Sequence, residues 1–369
     1  MSEVSLLLRA PSANRVYAQA AGALSRAEAH WVLGAHLGAV PSLRDREVGG
    51  MAGLEVRGAT GGSRSEAPLA MLSGTLGVLD VRQEDPQDPD RPLPRPRPLP
   101  AVPRHPSDLE TTLRYTGKTN EQFTALLVNL AAALSARRAG ILDGTLDLLD
   151  PLCGRGTTLN RAARLGLSPV GAEIDRKDVE TYRAFLGTWS RTHRFKHTLE
   201  TTRLTVHGER LGDRTEAELA PDKQTLRAGG GRRLTLLGCD TTRLGEVRPA
   251  APSTRWSGTC PTASSTAPAR AAPGGAPRSR SRARRRPAGA RCARDGAGVA
   301  LAVNRRTLDH AEASAVLAGA GSRVLSADGA FRHRVDQSID RDILLAVPFD
   351  HPRAEELAAL GADQEDPIP

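Results

Sequence analysis

Apolar side chains in the first 81 residues follow a pattern that predicts a small α/β unit. Leu6–Leu8 form a short apolar run, and residues 16–33 then place apolar side chains at helical spacing. Residues 71–81 are also apolar, but their pattern is compatible with either a strand or a helix. We therefore predict a small N-terminal α/β domain over residues 1–81.

A proline-rich segment follows this unit. Nine prolines lie between residues 86 and 106, and this density favours an extended polyproline-type chain. We interpret residues 82–106 as a linker between two domains, although proline-rich segments also dock partner proteins.

The chain from residue 107 onward begins with a strong helix and a βαβ pattern. Residues 121–134 are amphipathic over their whole length, with leucines on one side. The pattern then predicts a strand at 146–150, a helix at 157–165 and a strand at 169–174, with a glycine turn before the helix.

Helices and strands continue to alternate to the end of the second region. The further predicted elements are a helix at 179–189, a polar insertion at about 197–232, strands at 233–239, 299–303, 323–325 and 343–347, and a helix at 308–318. This alternation indicates an α/β fold with a doubly wound sheet over residues 107–347. Residues 348–369 are polar and are expected to form a frayed C-terminal tail.

Composition excludes several classes of protein. The chain has 369 residues, of which 39% are apolar, enough to build a core. No run of 18 apolar residues indicates a membrane span, and the N-terminal apolar run is too short for a signal peptide, so we expect a cytoplasmic protein. The four cysteines form no CxxC pair, which argues against a disulfide framework and a zinc ribbon.

The net charge of +9 comes from one segment. Residues 247–294 contain 11 arginines and no acidic residue, so acidic residues slightly outnumber basic ones elsewhere. The same segment lacks Leu, Ile, Met, Phe and Tyr, and it cannot bury enough apolar surface to order itself. We predict that this Arg/Pro/Ala-rich segment, about 250–296, is disordered.

The strongest chemical motif lies between the first predicted strand of the βαβ unit and its helix. Asp150-Pro-Leu-Cys-Gly154-Arg-Gly156-Thr157 combines a strand-end carboxylate with two glycines that let the backbone turn and a ligand approach. Glu173 ends the next strand, where a carboxylate can accept both hydroxyls of a ribose. Asp240 ends a third strand and either accepts from an adenine amine or caps the strand end.

This pattern lacks the spacing of the G-x-G-x-x-G fingerprint and the Gly-Lys-Ser/Thr of a phosphate-binding loop. It resembles the first motif of the class I S-adenosylmethionine-dependent methyltransferases. Within that class it is similar to the THUMP-associated tRNA (guanine-N2) methyltransferases. Tyr115–Phe123 resembles the segment that these enzymes place before the motif, near the cofactor. The resemblance implies a seven-stranded Rossmann-like sheet and S-adenosyl-L-methionine as cofactor.

The resemblance also assigns roles to single residues. Asp150 and the two glycines line the methionine and ribose side, Glu173 holds the ribose hydroxyls, and Ile174 packs on adenine. The full predicted cofactor site comprises Asp150, Pro151, Cys153, Gly154, Gly156, Thr157, Glu173, Ile174, Asp240, Thr241, Asn120 and Phe123. Cys153 is interpreted as a small buried residue of the turn rather than a nucleophile, because no base is evident near it.

One part of the family pattern is missing. These enzymes carry an Asp/Asn-x-Pro-Tyr/Phe loop after the fourth strand, which holds the target amine and stacks on the flipped base. That loop is due between residues 240 and 299, and no such tetrapeptide occurs there. The Arg-rich segment stands in its place, so we expect the fourth strand and the catalytic loop to be lost and the chain to be poorly stable and inactive.

A shifted reading frame accounts for the missing loop. Translated one nucleotide earlier, residues 258–266 admit Asp-Leu-Pro-Tyr-Gly-Val-Gln-His, which is the expected loop. In the same frame residues 291–295 admit Leu-Arg-Pro-Gly, a common lead into the fifth strand of this superfamily, and residues 252–256 admit Phe-Asp-Ala-Leu. We therefore hypothesise a frameshift across about 250–296 in a gene for an enzyme that methylates a guanine amine in tRNA or other RNA.

Two alternatives stay open. At face value, the Arg-rich segment is a disordered RNA-binding arm on a non-catalytic cofactor-binding domain. Against this, it interrupts a sheet and offers one aromatic side chain, Trp256, for stacking on bases. The second alternative is an amine methyltransferase acting on DNA or protein, because the fold does not decide the substrate. If residues 1–81 are a THUMP-like unit, they favour RNA.

Overall fold

The structure is a computed structural model that describes residues 4–12, 14–58, 63–82, 93–247, 260–263 and 296–362. Its N-terminal part is an antiparallel sheet with the strand order β2-β3-β1-β4-β5. The elements are β1 (Val4–Arg9), α1 (Arg15–Leu37), β2 (Ser42–Val48), β3 (Met51–Arg57), α2 (Ser63–Met71), β4 (Thr75–Arg82) and β5 (Leu93–Pro96). Helix α1 begins where the Asn14 side chain accepts hydrogen bonds from the N–H groups of Val16 and Tyr17.

Two of these elements refine the sequence interpretation. The ambiguous segment 71–81 contains the end of α2 and most of β4. Part of the proline-rich segment forms β5, whose backbone pairs with β4. Proline is tolerated there because β5 is an edge strand, and an edge strand needs only one row of hydrogen bonds.

The βαβ unit is present in the next part of the chain. Its elements and their neighbours are α3 (Asp108–Thr111), α4 (Glu121–Leu134), α5 (Gly140–Asp143), β6 (Leu149–Asp150), α6 (Thr157–Arg164), β7 (Val170–Ala172) and α7 (Arg176–Thr192). Strands β6 and β7 are parallel, and α6 connects them. Helix α4 has the predicted bounds, whereas β6 is only two residues long.

The predicted polar insertion is a long hairpin. It consists of β8 (Lys196–Val206) and β9 (Glu209–Ala220), followed by α8 (Lys223–Arg227) and β10 (Arg232–Gly238). Strand β10 is parallel to β7 and antiparallel to β9, which gives a sheet in the order β6-β7-β10-β9-β8. His207 and Gly208 make the hairpin turn with positive φ angles of 48° and 83°.

A third sheet closes the fold. Its elements are β11 (Cys260–Ala263), β12 (Val299–Asn304), α9 (His310–Gly319), β13 (Ser322–Val324), β14 (His333–Arg334), β15 (Asp340–Pro348) and α10 (Ala354–Ala362). The main strand order is β11-β12-β15-β13, with β14 paired to β15. Strand β11 is parallel to β12, whereas β15 is antiparallel to both β12 and β13.

Two expectations about the second half need correction. The C-terminal tail is not frayed throughout, because residues 354–362 form α10. Leu357 and Leu360, three residues apart, put one face of this helix into the core. The fourth strand is also not wholly lost, since Cys260–Ala263 pair with β12. An open strand edge offers unpaired backbone N–H and C=O groups, and an extended segment can form hydrogen bonds with them. The rest of the segment predicted to be disordered, except Gly296, lies outside the described residues.

The fold class is mixed α/β, as predicted, but the described residues do not form the predicted seven-stranded doubly wound sheet. Strands β6 and β11 lie within 8 Å of each other by Cα positions, yet the hydrogen-bonded ladders of the described residues place them in separate sheets. Within the same residues, no helix has both the length and the hydropathy needed to cross a bilayer.

One hydrophobic core joins the N-terminal part to the rest of the chain. Trp31 on α1, Leu127 on α4 and Leu360 on α10 belong to the same buried cluster. The His30 Nε2 atom also lies 2.7 Å from the Leu360 carbonyl oxygen. Helix α1 therefore packs on elements that follow it by about one hundred and more than three hundred residues.

Candidate functional site

Three carboxylates predicted from the sequence stand at one edge of the second sheet. Asp150 is the last residue of β6, Glu173 follows β7, and Asp240 follows β10 by two residues. The three strands are parallel, so their carboxyl ends meet at the same edge. This is the edge at which open α/β sheets bind ligands.

The glycine turn between β6 and α6 is shaped by two left-handed residues. Gly154 and Gly156 have φ angles of 54° and 75°. A Cβ at Gly156 would lie 2.4 Å from the ring of Tyr182, so this position requires glycine. A Cβ at Gly154 would meet no atom within 4 Å, so the turn has open space on that side.

Glu173 connects this turn to the end of β7. Its Oε2 accepts a hydrogen bond from the Gly154 N–H at 3.1 Å, and its Oε1 accepts one from the Asp175 N–H at 2.7 Å. Burial raises the pKa of the carboxyl. Each carboxylate oxygen has a second lone pair, so Glu173 can still accept the hydroxyls of a ribose.

Asp150 is the most buried of the three carboxyls. Its Oδ1 accepts a hydrogen bond from the Leu152 N–H at 3.0 Å. Burial raises its pKa from 3.8 to about 7, and the nearby charge of Glu173 acts in the same direction. Through this hydrogen bond Asp150 stabilises the turn from its buried side.

Pro151 and Cys153 are buried under the turn. The Cys153 side chain packs against β7, where a Cβ at Gly171 would lie 2.7 Å from its Sγ. Burial raises the pKa of the thiol well above its ordinary value, and the carboxylates of Asp150 and Glu173 add to this. A thiol held in its neutral form is a poor nucleophile, so the geometry agrees with a packing role.

Asp240 and Thr241 begin a 3₁₀ helix, Thr241–Glu246. Asp240 Oδ1 accepts hydrogen bonds from the N–H and the hydroxyl of Thr242, both at 3.0 Å, so the capping role is present. Thr241 is 3% exposed, and its buried Oγ1 has no hydrogen-bond partner in the described part of the chain. Ile174 is 48% exposed beside them and offers an apolar surface to a planar ring.

Asn120 and Phe123 lie on the other side of the turn. The Asn120 side chain caps α4 and accepts a hydrogen bond from the Phe123 N–H at 3.0 Å. The Phe123 ring is fully buried, and it faces His333 and Arg341 instead of the glycine turn. The Phe123 ring therefore contacts β14 and β15 rather than the edge that carries the three carboxylates.

Tyr115 joins this segment to the glycine turn. Its hydroxyl lies 2.9 Å from the Oγ1 of Thr157, the first residue of α6. The Arg155 guanidinium stacks 4.7 Å above the Tyr115 ring and pairs with Asp178 at 2.7 Å. Sequence reasoning did not assign roles to Tyr115, Arg155 or Asp178, because no local pattern links residues 42 or 23 positions apart.

Within the described residues, no group of three His, Cys, Asp or Glu side chains is arranged to hold a metal ion. No family model matches the chain, and no curated protein is significantly similar to it. Function must therefore be inferred from the residues themselves.

Proposed function

We propose that this chain is built on an S-adenosyl-L-methionine-dependent methyltransferase that acts on the exocyclic amine of guanine in tRNA or another RNA. The observation that carries the proposal is the contact between Glu173 and the Gly154 N–H. It sets a carboxylate with spare acceptor capacity against a glycine turn that has open space beside it.

The order of the strands supports this location for the site. If the β8–β9 hairpin is left out, β6, β7, β10, β11 and β12 can be numbered 1 to 5 along the chain. The strand order is then 3-2-1 in the second sheet, and strands 4 and 5 are neighbours in the third sheet. This order resembles that of a doubly wound nucleotide-binding sheet, in which the switch point lies between strands 1 and 4. In such a sheet the Asp150 turn would lie at that point, since β6 and β11 come within 8 Å of each other although they belong to separate sheets.

The residues present fit an adenosine-containing cofactor. Glu173 would hold the ribose hydroxyls, and the exposed Ile174 side chain would cover the adenine ring. The first turn of α6 and the glycine turn offer backbone N–H groups. When bound, the cofactor supplies an electrophilic methyl group.

The chain must also accept a proton from the amine and hold the base. The Asp/Asn-x-Pro-Tyr/Phe loop that does this in the resembled family is absent from the sequence. We therefore propose that the chain binds the cofactor but transfers no methyl group, and that the shifted frame encodes the active form.

Calorimetric titration of the purified full chain with S-adenosyl-L-methionine tests the cofactor site. Glu173→Gln is expected to weaken binding at least about tenfold, because the amide loses charged hydrogen bonds to the ribose. Glu180→Gln is the matched control on α7, since Glu180 is exposed and pairs only with Arg176. Equal affinity of the chain and Glu173→Gln, or no binding by the unaltered chain, would contradict the proposal.

Sequencing of genomic DNA across codons 245–300 tests the frameshift. Transfer of a labelled methyl group to an unmodified tRNA transcript then compares the chain with the shifted-frame version. We expect transfer only from the shifted-frame version. Methyl transfer by the chain with the present sequence would show that the missing loop is not needed.

A further inference from the structure

Arg341 is the second residue of β15 and lies at the carboxyl end of β12, where it pairs in register with Asn304. Its side chain is 8% exposed, and its guanidinium lies 4.7 Å over the ring of Phe123. The His333 ring approaches the same phenyl ring at a centroid distance of 5.1 Å. Arg341 is therefore a nearly buried cation between the end of the third sheet and the first turn of α4.

Arg341 differs from the arginines around it in having no carboxylate in direct contact, although the charge of Asp336 acts on it from a greater distance. Arg305 pairs with Asp342 at 3.0 Å, and Arg332 pairs with Asp340 at 2.7 Å. Among the residues that the structure describes, the Arg341 guanidinium donates no hydrogen bond and has no carboxylate within 4.0 Å. Burial lowers its pKa to about 10 even though the charge of Asp336 acts in the opposite direction, so the cost of burial outweighs the attraction of that carboxylate.

An unpaired buried charge needs an explanation. Desolvation of a guanidinium is expensive, and stacking on a phenyl ring compensates for only part of that cost. Such a charge is stabilised when an anion binds and pairs with it. Guanidinium is suited to phosphate because its planar N–H groups match two phosphate oxygens at once.

The position of Arg341 relates it to the proposed cofactor site. Tyr115 contacts Thr157 at the glycine turn, and Phe123, eight residues later, contacts Arg341. The segment 115–123 therefore runs from the cofactor side to Arg341. A polynucleotide that presents a base to the cofactor must place its backbone beside that site.

We propose that Arg341 binds a phosphate of the RNA strand that carries the target guanine. Arg341 is then a substrate-positioning residue, and the proposal rests on the proposed function. His333 has its pKa lowered to about 4 by burial, and as a neutral ring it shapes the site without adding charge.

Binding of guanosine 5′-monophosphate and guanosine to the full chain tests this assignment. We expect the unaltered chain to bind the monophosphate more tightly than the nucleoside. In Arg341→Gln the ratio of the two dissociation constants is expected to fall at least about tenfold. Arg334→Gln is the matched control, because Arg334 is an exposed arginine on the neighbouring strand β14. The control also corrects for phosphate bound by the Arg-rich segment, which both variants retain.

Stability without ligand separates this role from a structural one. Removal of an unpaired buried charge is expected to leave the melting temperature of Arg341→Gln unchanged or raised. A clear fall in that temperature together with an unchanged monophosphate preference would overturn the proposal. If Arg341→Gln does not fold, Arg341→Lys keeps the cation and must still lose part of the preference, because Lys cannot bind two oxygens in a fork.

Titration with S-adenosyl-L-methionine distinguishes the two proposals. Arg341→Gln is expected to bind the cofactor within about twofold of the unaltered chain. If it loses cofactor affinity and keeps the monophosphate preference, the anion is the cofactor carboxylate and the phosphate assignment fails. If the unaltered chain binds no cofactor but shows an Arg341-dependent preference, the proposed function fails and the phosphate site stands.

Discussion

Two carboxylates in this molecule, the buried Glu28 and the half-buried Glu173, use their hydrogen-bonding capacity differently. Glu28 on α1 is fully buried, and its two oxygens accept bonds from the Ser73 N–H, the Ser73 hydroxyl and the Asn129 amide at 2.6–3.0 Å. Glu173 accepts hydrogen bonds from backbone N–H groups at the edge of a sheet, among them those of Gly154 and Asp175. Burial raises the pKa of both carboxyls.

Glu28 and Glu173 differ in their hydrogen-bond partners and in their surroundings. The partners of Glu28 are side chains and backbone from α4 and the turn before β4, so the network ties the N-terminal part to the second part. Glu173 stands beside a glycine turn with open space and keeps lone pairs for a ligand. A perturbed pKa alone therefore does not identify a functional carboxylate, whereas spare acceptor capacity at a strand end supports one.

The largest expected loss of stability comes from disrupting the hydrogen-bond network around Glu28. Glu28→Ala leaves the Ser73 N–H and one N–H of the Asn129 amide unsatisfied in the core and opens a cavity, while the other amide N–H keeps the Met71 carbonyl. We expect it to lower the free energy of unfolding by about 3 kcal/mol or more. Urea denaturation followed by circular dichroism measures the change.

The matched variant for this network is Glu28→Gln, which keeps the volume and one acceptor oxygen. We expect it to cost about 1 kcal/mol. Equal losses for the two variants would show that the hydrogen bonds of Glu28 contribute little beyond its packing.

The glycine turn offers a second contrast. Gly156→Ala places a Cβ 2.4 Å from the Tyr182 ring and keeps a positive φ, so we expect a loss of about 2 kcal/mol in stability together with loss of cofactor binding. Gly154→Ala meets no atom within 4 Å and has only the strain of its φ, about 1 kcal/mol. Thermal unfolding and calorimetric titration of both variants test the order.

A further effect concerns the dependence of stability on pH. The folded-state pKa of Asp150 is about 7, whereas its ordinary value is 3.8. The folded state thus holds a proton that the unfolded state has released, and the contribution of Asp150 to stability falls between about pH 4 and pH 7. Its slope is at most about 1.4 kcal/mol per pH unit.

Asp150→Asn removes this titration. The difference in unfolding free energy between the two proteins is therefore expected to depend on pH between about 4 and 7 and to be constant above that range. A difference that is the same at pH 4.5 and pH 7 would contradict the raised pKa of Asp150.

Local patterns predicted the elements with strong amphipathic signals. Helix α4 has the predicted bounds because a capping asparagine precedes a continuous apolar stripe. The β8–β9 hairpin was interpreted only as a polar insertion. Strand β8 at the sheet edge is exposed over most of its length, so it lacks the alternation of a half-buried strand. Helix α10 was missed because its apolar face is short and its packing partner is α1.

The candidate site likewise combines residues that local patterns predicted with contacts that they did not. The glycine turn and the three strand-end carboxylates were predicted, because a short motif and strand order carry them. The segment that contains Tyr115 was expected near the cofactor, but the contact of Tyr115 with Thr157 and that of Arg341 with Phe123 were not predicted, since they join distant parts of the chain. Phe123 was expected at the cofactor, and its buried position became clear only from the packing of α4 against β15.

The contact between α1 and α10 has a consequence for synthesis on the ribosome. His30 and Leu360 are separated by 330 residues, so α1 is made long before its partner leaves the exit tunnel. At about 5–20 residues per second, the wait lasts on the order of tens of seconds. During that time Trp31 and its neighbours have no C-terminal cover, and the nascent chain is a natural client for chaperones that hold exposed apolar surface.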